Sequence, residues 1–175
     1  MITPILETER LLLRPLKISD AETIYNNWAT DPEVIKYVRW NAHQSIDVTV
    51  EWLSSAEENI TSEKNYDWGF ILKETGEMIG SGGVYYNDEQ KMFEIGYVTM
   101  KKYWNKGLTT EAAKVIVDFA VNELNQTTLY ACYAKENIAS GRIMEKCGFV
   151  YQRDGEYSSF DGKRTFEGRE YFLSV

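Results

Sequence analysis

Apolar residues recur at helical spacing in the first third of the chain, after a short strand predicted over 9–16. A helix is predicted over 19–28, because Ser19 and Glu22 stand three positions apart and match a capping box. The Asp-Pro pair at 31–32 predicts the start of a second short helix, with the aspartate as N-cap and the proline in the first helical position. The N-terminal third is therefore predicted to be mainly helical.

The hydrophobic period then changes from four residues to two. A third helix is predicted over 45–60 from apolar residues spaced four apart, which are Val48, Trp52, Ala56 and Ile60. Turns at Thr75-Gly76 and Asn87-Asp88 separate alternating segments and predict an antiparallel meander of three strands, over 67–73, 78–86 and 92–100. The remaining pattern predicts, in order, a helix over 109–124, a strand over 127–134, a helix over 138–147 and strands over 149–158 and 164–174.

This order of elements predicts an α+β fold with a mixed sheet of about seven strands. The strand–helix–strand unit over 92–134 should form a right-handed parallel crossover. Asn137 fits as the N-cap of the last helix, and Gly148 fits as its left-handed C-terminal residue. The chain has 175 residues and no linker or repeat, so one domain over 1–175 is expected.

Composition narrows the classes of function. Hydrophobic residues make up 43% of the chain, which is typical of a globular protein. The net charge of −8 disfavours direct nucleic-acid binding. No apolar run is long enough to span a membrane, and the N-terminus does not match a secretory signal. Cys132 and Cys147 are expected to be buried thiols in a reducing cytoplasm. The single histidine, His43, excludes multi-histidine metal sites, and no metal is expected.

The turn before the helix over 109–124 is basic and contains one glycine. Lys101, Lys102 and Lys106 precede Gly107, and no acidic residue caps the helix. A helix start exposes unpaired N–H groups and the positive end of the dipole, so an anion such as a phosphate could bind there. The local pattern leaves two interpretations open: a phosphate site, or a helix capped by Thr109 or Thr110.

Four motifs resemble one family. The stretch YWNKGLTTEA (103–112) resembles the acyl-CoA pyrophosphate loop of the GNAT superfamily of N-acetyltransferases, and in particular its RimJ/RimL-like subgroup. Trp104 and Gly107 match the loop pattern, whereas Asn105 and Thr109 stand where small residues are usual. The resemblance covers four stretches, LETERLLLRPL (6–16), DPEVIKYV (31–38), FEIGYVTMKKYWNKG (93–107), which leads into the loop, and KENIASGRIMEKCGFV (135–150).

The resemblance implies a mostly antiparallel GNAT sheet in which a splayed strand pair holds acetyl-CoA. The backbones of Val98 and Met100 would pair with the pantetheine arm, and the Val98 N–H would stabilise the oxyanion of the thioester. Asn137 and Ser140 would contact the same arm. The pyrophosphate would bind the loop residues Asn105, Lys106, Gly107, Leu108, Thr109 and Thr110.

The resemblance also implies direct transfer from acetyl-CoA to an amine in a ternary complex. Ser140 would protonate or orient the leaving thiolate, because Met144 stands where some relatives carry a tyrosine acid. Alternation along the strand over 92–100 puts Glu94, Gly96 and Val98 on one face, so Glu94 is the candidate base or amine-binding group. An exposed structural glutamate is the alternative interpretation.

The acceptor stays open at this point. It is a primary amine, either a protein N-terminus or a small molecule such as an amino acid, a polyamine or an aminoglycoside. Trp28, Tyr37, Trp40 and Trp52 could line its groove or belong to the core. A homodimer is frequent in the family. The competing hypothesis from another class is a non-catalytic CoA-binding regulatory module, since the loop threonine and Met144 depart from the pattern.

Overall fold

Eight strands form a single sheet in the order β1-β2-β3-β4-β5-β6-β8-β7. The computed structural model describes all 175 residues. The strands are β1 (Leu6–Glu7), β2 (Leu11–Pro15), β3 (Asn65–Leu72), β4 (Met78–Asn87), β5 (Met92–Thr99), β6 (Thr128–Ala134), β7 (Val150–Ser158) and β8 (Thr165–Ser174). The seven predicted strands are all present, and the eighth is the two-residue β1, which is too short to show a period.

The strand pairings confirm the predicted mixed sheet and the predicted parallel pair. All neighbouring strands run antiparallel except β5 and β6, which are parallel. The α-helices are α1 (Ala21–Ile24), α2 (Ile46–Glu58), α3 (Leu108–Asn122) and α4 (Ile138–Lys146). None of the helices is long and apolar enough to cross a bilayer.

The predicted capping box at the first helix is wrong. A 3-10 turn over Ile18–Asp20 precedes α1, and a π-helical turn follows it over Tyr25–Ala29. The Asp20 carboxylate accepts a hydrogen bond from the Lys17 N–H at 2.9 Å and forms a two-bond pair with Arg14 at 2.7 and 2.8 Å. The side chain that accepts at the start of this helical segment is therefore that of Asp20, which is held by the nearby Lys17 N–H and by Arg14 on β2, and not that of Ser19.

The inner face of α2 differs by one position from the predicted stripe. Thr49 and Leu53 are fully buried, whereas Val48 is 40% exposed. Burial of the polar Thr49 is tolerated because its Oγ lies 2.7 Å from Nδ1 of His43, so the hydroxyl has a hydrogen-bond partner. Trp52 and Ala56 pack along the margin of the same core.

Two hydrophobic layers cover the two faces of the sheet. On one face α3 packs against a core of 24 buried residues that includes Trp68, Phe93 and Ile95. On the other face α1 and α2 pack over a smaller core with Trp28 and Leu53 at its centre. Trp28 is thus core, while Trp40 and Trp52 flank this layer. Both layers meet β5, the strand that runs between them.

The end of α4 follows the predicted pattern. Gly148 has φ +91° and its N–H donates to Glu145, while the Phe149 N–H donates to Met144. These two bonds form a Schellman motif and satisfy carbonyls at the end of the helix. Asn137 caps the start, since its side chain accepts from the Ser140 N–H at 3.4 Å. Both ends of α4 are therefore fixed by residues close in sequence.

Candidate active site at the splayed strands

The parallel pair β5–β6 separates soon after it forms. The two strands pair only at Phe93 with Leu129 and at Glu94 with Tyr130. β5 continues to Thr99 and β6 continues to Ala134, but the two strands do not pair with each other again. A wedge therefore opens between the strands, and the backbone of β5 beyond Glu94 has an edge without a strand partner.

The backbone groups on that open edge are not the predicted ones. The Met100 N–H donates to the Ile79 carbonyl of β4 at 2.8 Å, so Met100 faces β4. Because backbone direction alternates along a strand, Val98 faces β4 as well and pairs with Ser81. The expectation that Val98 and Met100 present their main chain to the wedge needs correction by one position. Tyr97 and Thr99 are the residues whose main chain points there.

One of these outward groups is already used inside the protein. The Thr99 carbonyl accepts a hydrogen bond from Nε1 of Trp104 at 2.8 Å, which ties the loop after β5 back onto the strand. The main chain of Tyr97 keeps both its N–H and its carbonyl free of strand pairing. Tyr97 is thus the central main-chain position of the open edge.

The start of α3 has no side-chain cap. Gly107 is the N-cap residue with φ +74°, and Asn105 also has a positive φ of +60°. The Thr109 hydroxyl lies 2.8 Å from the Thr99 hydroxyl on β5, so it does not cap the helix. The interpretation of a threonine-capped helix is therefore not what the structure shows. The first N–H groups of α3 remain available to a ligand.

A residue far away in sequence anchors this loop. The Glu111 carboxylate accepts from the N–H and Nε of Arg10 at 2.8 and 2.7 Å, and the Thr8 hydroxyl also bonds to it. Arg10 in addition donates to the Lys106 carbonyl at 3.0 Å. Burial of Glu111 works against its charge, but these hydrogen bonds prevail and lower the pKa of its carboxyl. The loop geometry is thus held from outside the helix.

The lysine cluster before α3 offers less positive charge to a ligand than the sequence indicates. Lys101 is paired with Glu33, and Lys102 is paired with Glu77 at 2.8 Å. Lys106 has no carboxylate partner and lies 5.2 Å from the ring centroid of Tyr103. Of the three lysines, Lys106 alone offers an unpaired charge next to the start of α3.

Ser140 has a tyrosine partner that sequence spacing did not indicate. The Tyr97 hydroxyl donates to the Ser140 carbonyl at 3.0 Å and lies 3.2 Å from the Ser140 hydroxyl. Burial raises the pKa of Tyr97, so its phenol stays protonated at neutral pH. Met144 is buried in the core and contributes no polar group. A tyrosine thus stands beside Ser140, but it comes from β5 rather than from α4.

Glu94 is held by partners from two other segments. Its carboxylate pairs with Arg39 at 3.0 Å and accepts from Nδ2 of Asn87 at 2.8 Å. The Arg39 guanidinium lies 4.6 Å from the ring centroid of Tyr157. The glutamate is therefore neither an isolated base nor an exposed surface residue. Arg39 could not have been found from local spacing, because it lies 55 residues away in sequence.

A second carboxylate lies on the same face of the sheet as Glu94. Tyr85 is opposite Glu94 across β4 and β5, and its hydroxyl donates to Asp67 at 2.5 Å. Burial raises the pKa of the Asp67 carboxyl. Beyond the end of β5 on this side lies an open cleft of about 460 Å³, which is lined by Asn27, Asp31, Met100, Lys101 and Lys102.

The histidine and the cysteines do not form a reactive centre. His43 is half-buried between Trp40 and Trp52, and burial lowers its pKa. Cys132 is buried, and both thiols are free. Burial also raises the pKa of the Cys147 thiol to about 11, so it remains protonated and is a poor nucleophile.

Comparison with known proteins places this geometry in context. Residues 10–150 match the family model described as acetyltransferase (GNAT) domain. The uncharacterised N-acetyltransferase YoaA of Bacillus subtilis is 29% identical, over 87% of this chain and 85% of its own length. The structure is similar to a GNAT-family acetyltransferase from Bacillus anthracis, with TM-score 0.83, 23% identity and 98% coverage of both chains.

A ribosomal-protein-S5-alanine acetyltransferase from Vibrio fischeri has the same fold. Its TM-score is 0.78 at 18% identity, with 98% of this chain and 96% of that chain covered. At such identity the likeness concerns the fold alone.

Proposed function

The chain belongs to the GNAT acetyltransferase family, and on that premise we propose that it acetylates a primary amine by direct attack in a ternary complex. Family membership makes the chain an acetyl-CoA-dependent N-acetyltransferase.

The observation that carries the proposal is the open edge of β5 next to an uncapped helix. Pairing between β5 and β6 stops at Glu94, and the N–H groups at the start of α3 have no side-chain partner. An extended arm ending in a pyrophosphate fits both features, because one part can add as a strand and the other can cap a helix. The left-handed Gly107 lets the chain turn so that these amides converge.

The residues of this chain divide the binding of acetyl-CoA between them. The amides from Asn105 to Thr110 would hold the pyrophosphate, with Lys106 as the nearest unpaired charge. Tyr97 replaces Val98 and Met100 as the main-chain partner of the pantetheine arm. Asn137 would contact the arm from the start of α4. When bound, acetyl-CoA supplies an activated acetyl group as a thioester.

Three groups would assist the transfer. The Tyr97 N–H is aimed into the wedge, where it would stabilise charge on the thioester oxygen. The Ser140 hydroxyl would donate a proton to the leaving sulfur and take one from the Tyr97 phenol, which solvent then reprotonates. Glu94 would bind the incoming amine and take its proton through a water, as part of the pair with Arg39 rather than alone.

We further propose the class of acceptor, the cellular compartment and the oligomeric state. The motifs over 6–16 and 31–38 support the RimJ/RimL-like subgroup, so a protein N-terminus or a small amine is the acceptor. We place the enzyme in the cytoplasm, in keeping with its two free thiols. A homodimer would use β7, an edge strand on which Val150 and Tyr151 are exposed.

The test is release of free thiol from acetyl-CoA in the presence of amines and peptides. Turnover with at least one primary amine, and a product acetylated on nitrogen, is the expected result. Tight binding of acetyl-CoA by calorimetry without turnover on any acceptor would favour the non-catalytic CoA-binding module instead. Light scattering of the purified protein tests the dimer separately.

A further inference from the structure

The Arg39–Glu94 pair has unused hydrogen-bonding capacity on both sides. The Arg39 guanidinium has five N–H groups, and its one hydrogen bond to another residue goes from Nη2 to Glu94. Its side chain is 27% exposed and that of Glu94 is 17% exposed, so both reach solvent from a largely buried position. The pair can therefore accept a ligand without first being taken apart.

The pair lies where the reaction is expected. Glu94 is the last residue of β5 that pairs with β6, so its side chain lies at the apex of the wedge. Arg39 rests on the ring of Tyr157 from β7, which fixes the plane of the guanidinium. An acceptor amine that approaches the wedge from the α1–α2 side of the sheet meets both charges together.

The segment that carries Arg39 is held rigidly. The Arg164 guanidinium donates to four backbone carbonyls of one segment, at 2.7 to 3.3 Å. They belong to Ile35, Lys36, Val38 and Trp40. The Phe160 N–H donates to the Arg39 carbonyl at 2.7 Å, and the Tyr157 hydroxyl donates to the Tyr37 carbonyl at 2.7 Å. This bonding keeps the arginine in place before an acceptor arrives, which lowers the cost of binding.

The charge balance at this position selects among acceptors. A polyamine or an aminoglycoside would bring several positive charges next to Arg39, which repels them. A compound with one ammonium and one anionic group matches the pair, because the ammonium can bind Glu94 while the anion takes the free N–H groups of Arg39. Arginine binds carboxylate and phosphate with paired hydrogen bonds, so either anion fits.

We propose that the Arg39–Glu94 pair is a zwitterion-binding site, and that the acceptor is an amine carrying a nearby carboxylate or phosphate. This inference rests on the proposed N-acetyltransfer and specifies its substrate class. The anion could come from two sources. One is a small molecule, either a free amino acid or an amino phosphate, and the other is the acidic side chain of a peptide whose N-terminus is acetylated.

The experiment compares matched acceptors under saturating acetyl-CoA. The panel contains the twenty amino acids with their carboxamides, ethanolamine with its phosphate ester, peptides with Asp or Asn in second position, and spermidine. Thiol release gives kcat/KM for each, in the wild type, in Arg39→Gln and in the control Arg14→Gln. Arg14 is a suitable control because its side chain is 26% exposed and is also paired with a carboxylate.

The wild type should prefer an anionic acceptor over its neutral partner by about 10- to 100-fold. In Arg39→Gln this ratio should fall to near one, while Arg14→Gln keeps it. An amino acid and its carboxamide differ in the pKa of the amine. This difference affects the wild type and the variants equally, so it cancels when the preference ratio of one protein is compared with that of another. Acetyl-CoA affinity should be the same in the wild type, Arg39→Gln and Arg14→Gln, which would show that Arg39→Gln is folded. A further variant, Arg39→Lys, should retain part of the preference for anionic acceptors.

Two results would overturn the inference while leaving N-acetyltransfer intact. These are faster turnover of spermidine or of the neutral acceptors, and an acid preference that Arg39→Gln leaves unchanged. If no amine in the panel released thiol although acetyl-CoA bound, both this inference and the proposed function would fail. The arms with amino acids and with acidic peptides identify which source supplies the anion.

Discussion

The proposed cofactor side and the proposed acceptor side of this enzyme are built in different ways. The cofactor side consists mostly of main chain: the free edge of β5, the left-handed Gly107 and the first amides of α3. The acceptor side consists of side chains from distant segments, in which Arg39 meets Glu94 and Arg164 holds the segment 35–41. One side depends on backbone conformation and the other on long-range contacts.

This difference explains what each side tolerates. A main-chain site accepts varied side chains as long as the backbone conformation is kept, so Asn105 and Thr109 can stand where small residues are usual. A side-chain site changes its ligand with a single substitution, which suits a surface that determines which acceptor is used. Mutations that affect one side alone are therefore the means of testing the division.

The largest effect is expected at the backbone of the loop. Gly107→Glu forces a side chain onto a left-handed residue and puts a carboxylate at the helix start, so acetyl-CoA affinity should fall by about 100-fold or more. Calorimetric titration measures it. Gly76→Glu is the matched control, because Gly76 has φ +71° and nothing within 4 Å of an added Cβ. Equal losses in both variants would mean that backbone strain alone is responsible.

The next effect concerns the proton for the leaving thiolate. Tyr97→Phe removes the hydroxyl next to Ser140 and should lower kcat about 10- to 100-fold, because Ser140 itself remains. Acetyl-CoA affinity should stay within about twofold, since the main chain of Tyr97 is unchanged. Tyr133→Phe serves as control, as this buried hydroxyl contacts Tyr171 instead. An unaltered kcat in Tyr97→Phe would remove the phenol from the mechanism.

A smaller effect is expected from the segment that carries Arg39. Arg164→Met leaves four carbonyls without their charged donor and should cost about 1.5–3 kcal/mol in urea unfolding. Its acceptor KM should rise while acetyl-CoA affinity is retained. Lys163→Met in the turn of the same hairpin should cost under about 1 kcal/mol, because Lys163 is exposed. A loss of acetyl-CoA binding in Arg164→Met would show that the two sides are not separate.

The smallest effect is a pH dependence of stability. Burial lowers the folded-state pKa of His43, so the folded protein resists the proton that the unfolded chain takes up. The stability that a neutral His43 contributes is complete above the unfolded value of about 6.5 and is lost as the pH falls below it. Unfolding free energy from pH 7.5 to 5 should therefore decline more steeply in the wild type than in His43→Gln. Parallel curves would contradict this.

The sequence predicted most of what depends on near neighbours. The meander, α3, the cap of α4 by Asn137 and the turn at Gly148 follow from local spacing and were confirmed. The error at the first helix is one of position, because the carboxylate that accepts at its start is Asp20, which binds the Lys17 N–H and is held by Arg14 on β2. Elements are thus predictable from local spacing, whereas the exact capping residue also depends on a contact from a neighbouring strand.

The site shows the same limit. Glu94 was proposed from strand alternation and Ser140 from the motif over 135–150, but their partners Arg39 and Tyr97 lie 55 and 43 residues away. The main-chain prediction at Val98 was off by one because sequence alternation gives the face of a side chain, and not which neighbouring strand its N–H points to. The bond from Met100 to Ile79 decides that question, and only the folded sheet contains it.

The central claim is that acetyl-CoA binds the main chain of the open β5 edge and the start of α3. Residue-resolved amide hydrogen exchange by NMR, with and without acetyl-CoA, tests it most directly. The account predicts that Val98 and Met100 exchange slowly in both states, while Tyr97 and the amides of 105–110 become protected only when acetyl-CoA is bound. Protection that appeared at Val98 but not at Tyr97, or that left the amides of 105–110 unchanged, would contradict it.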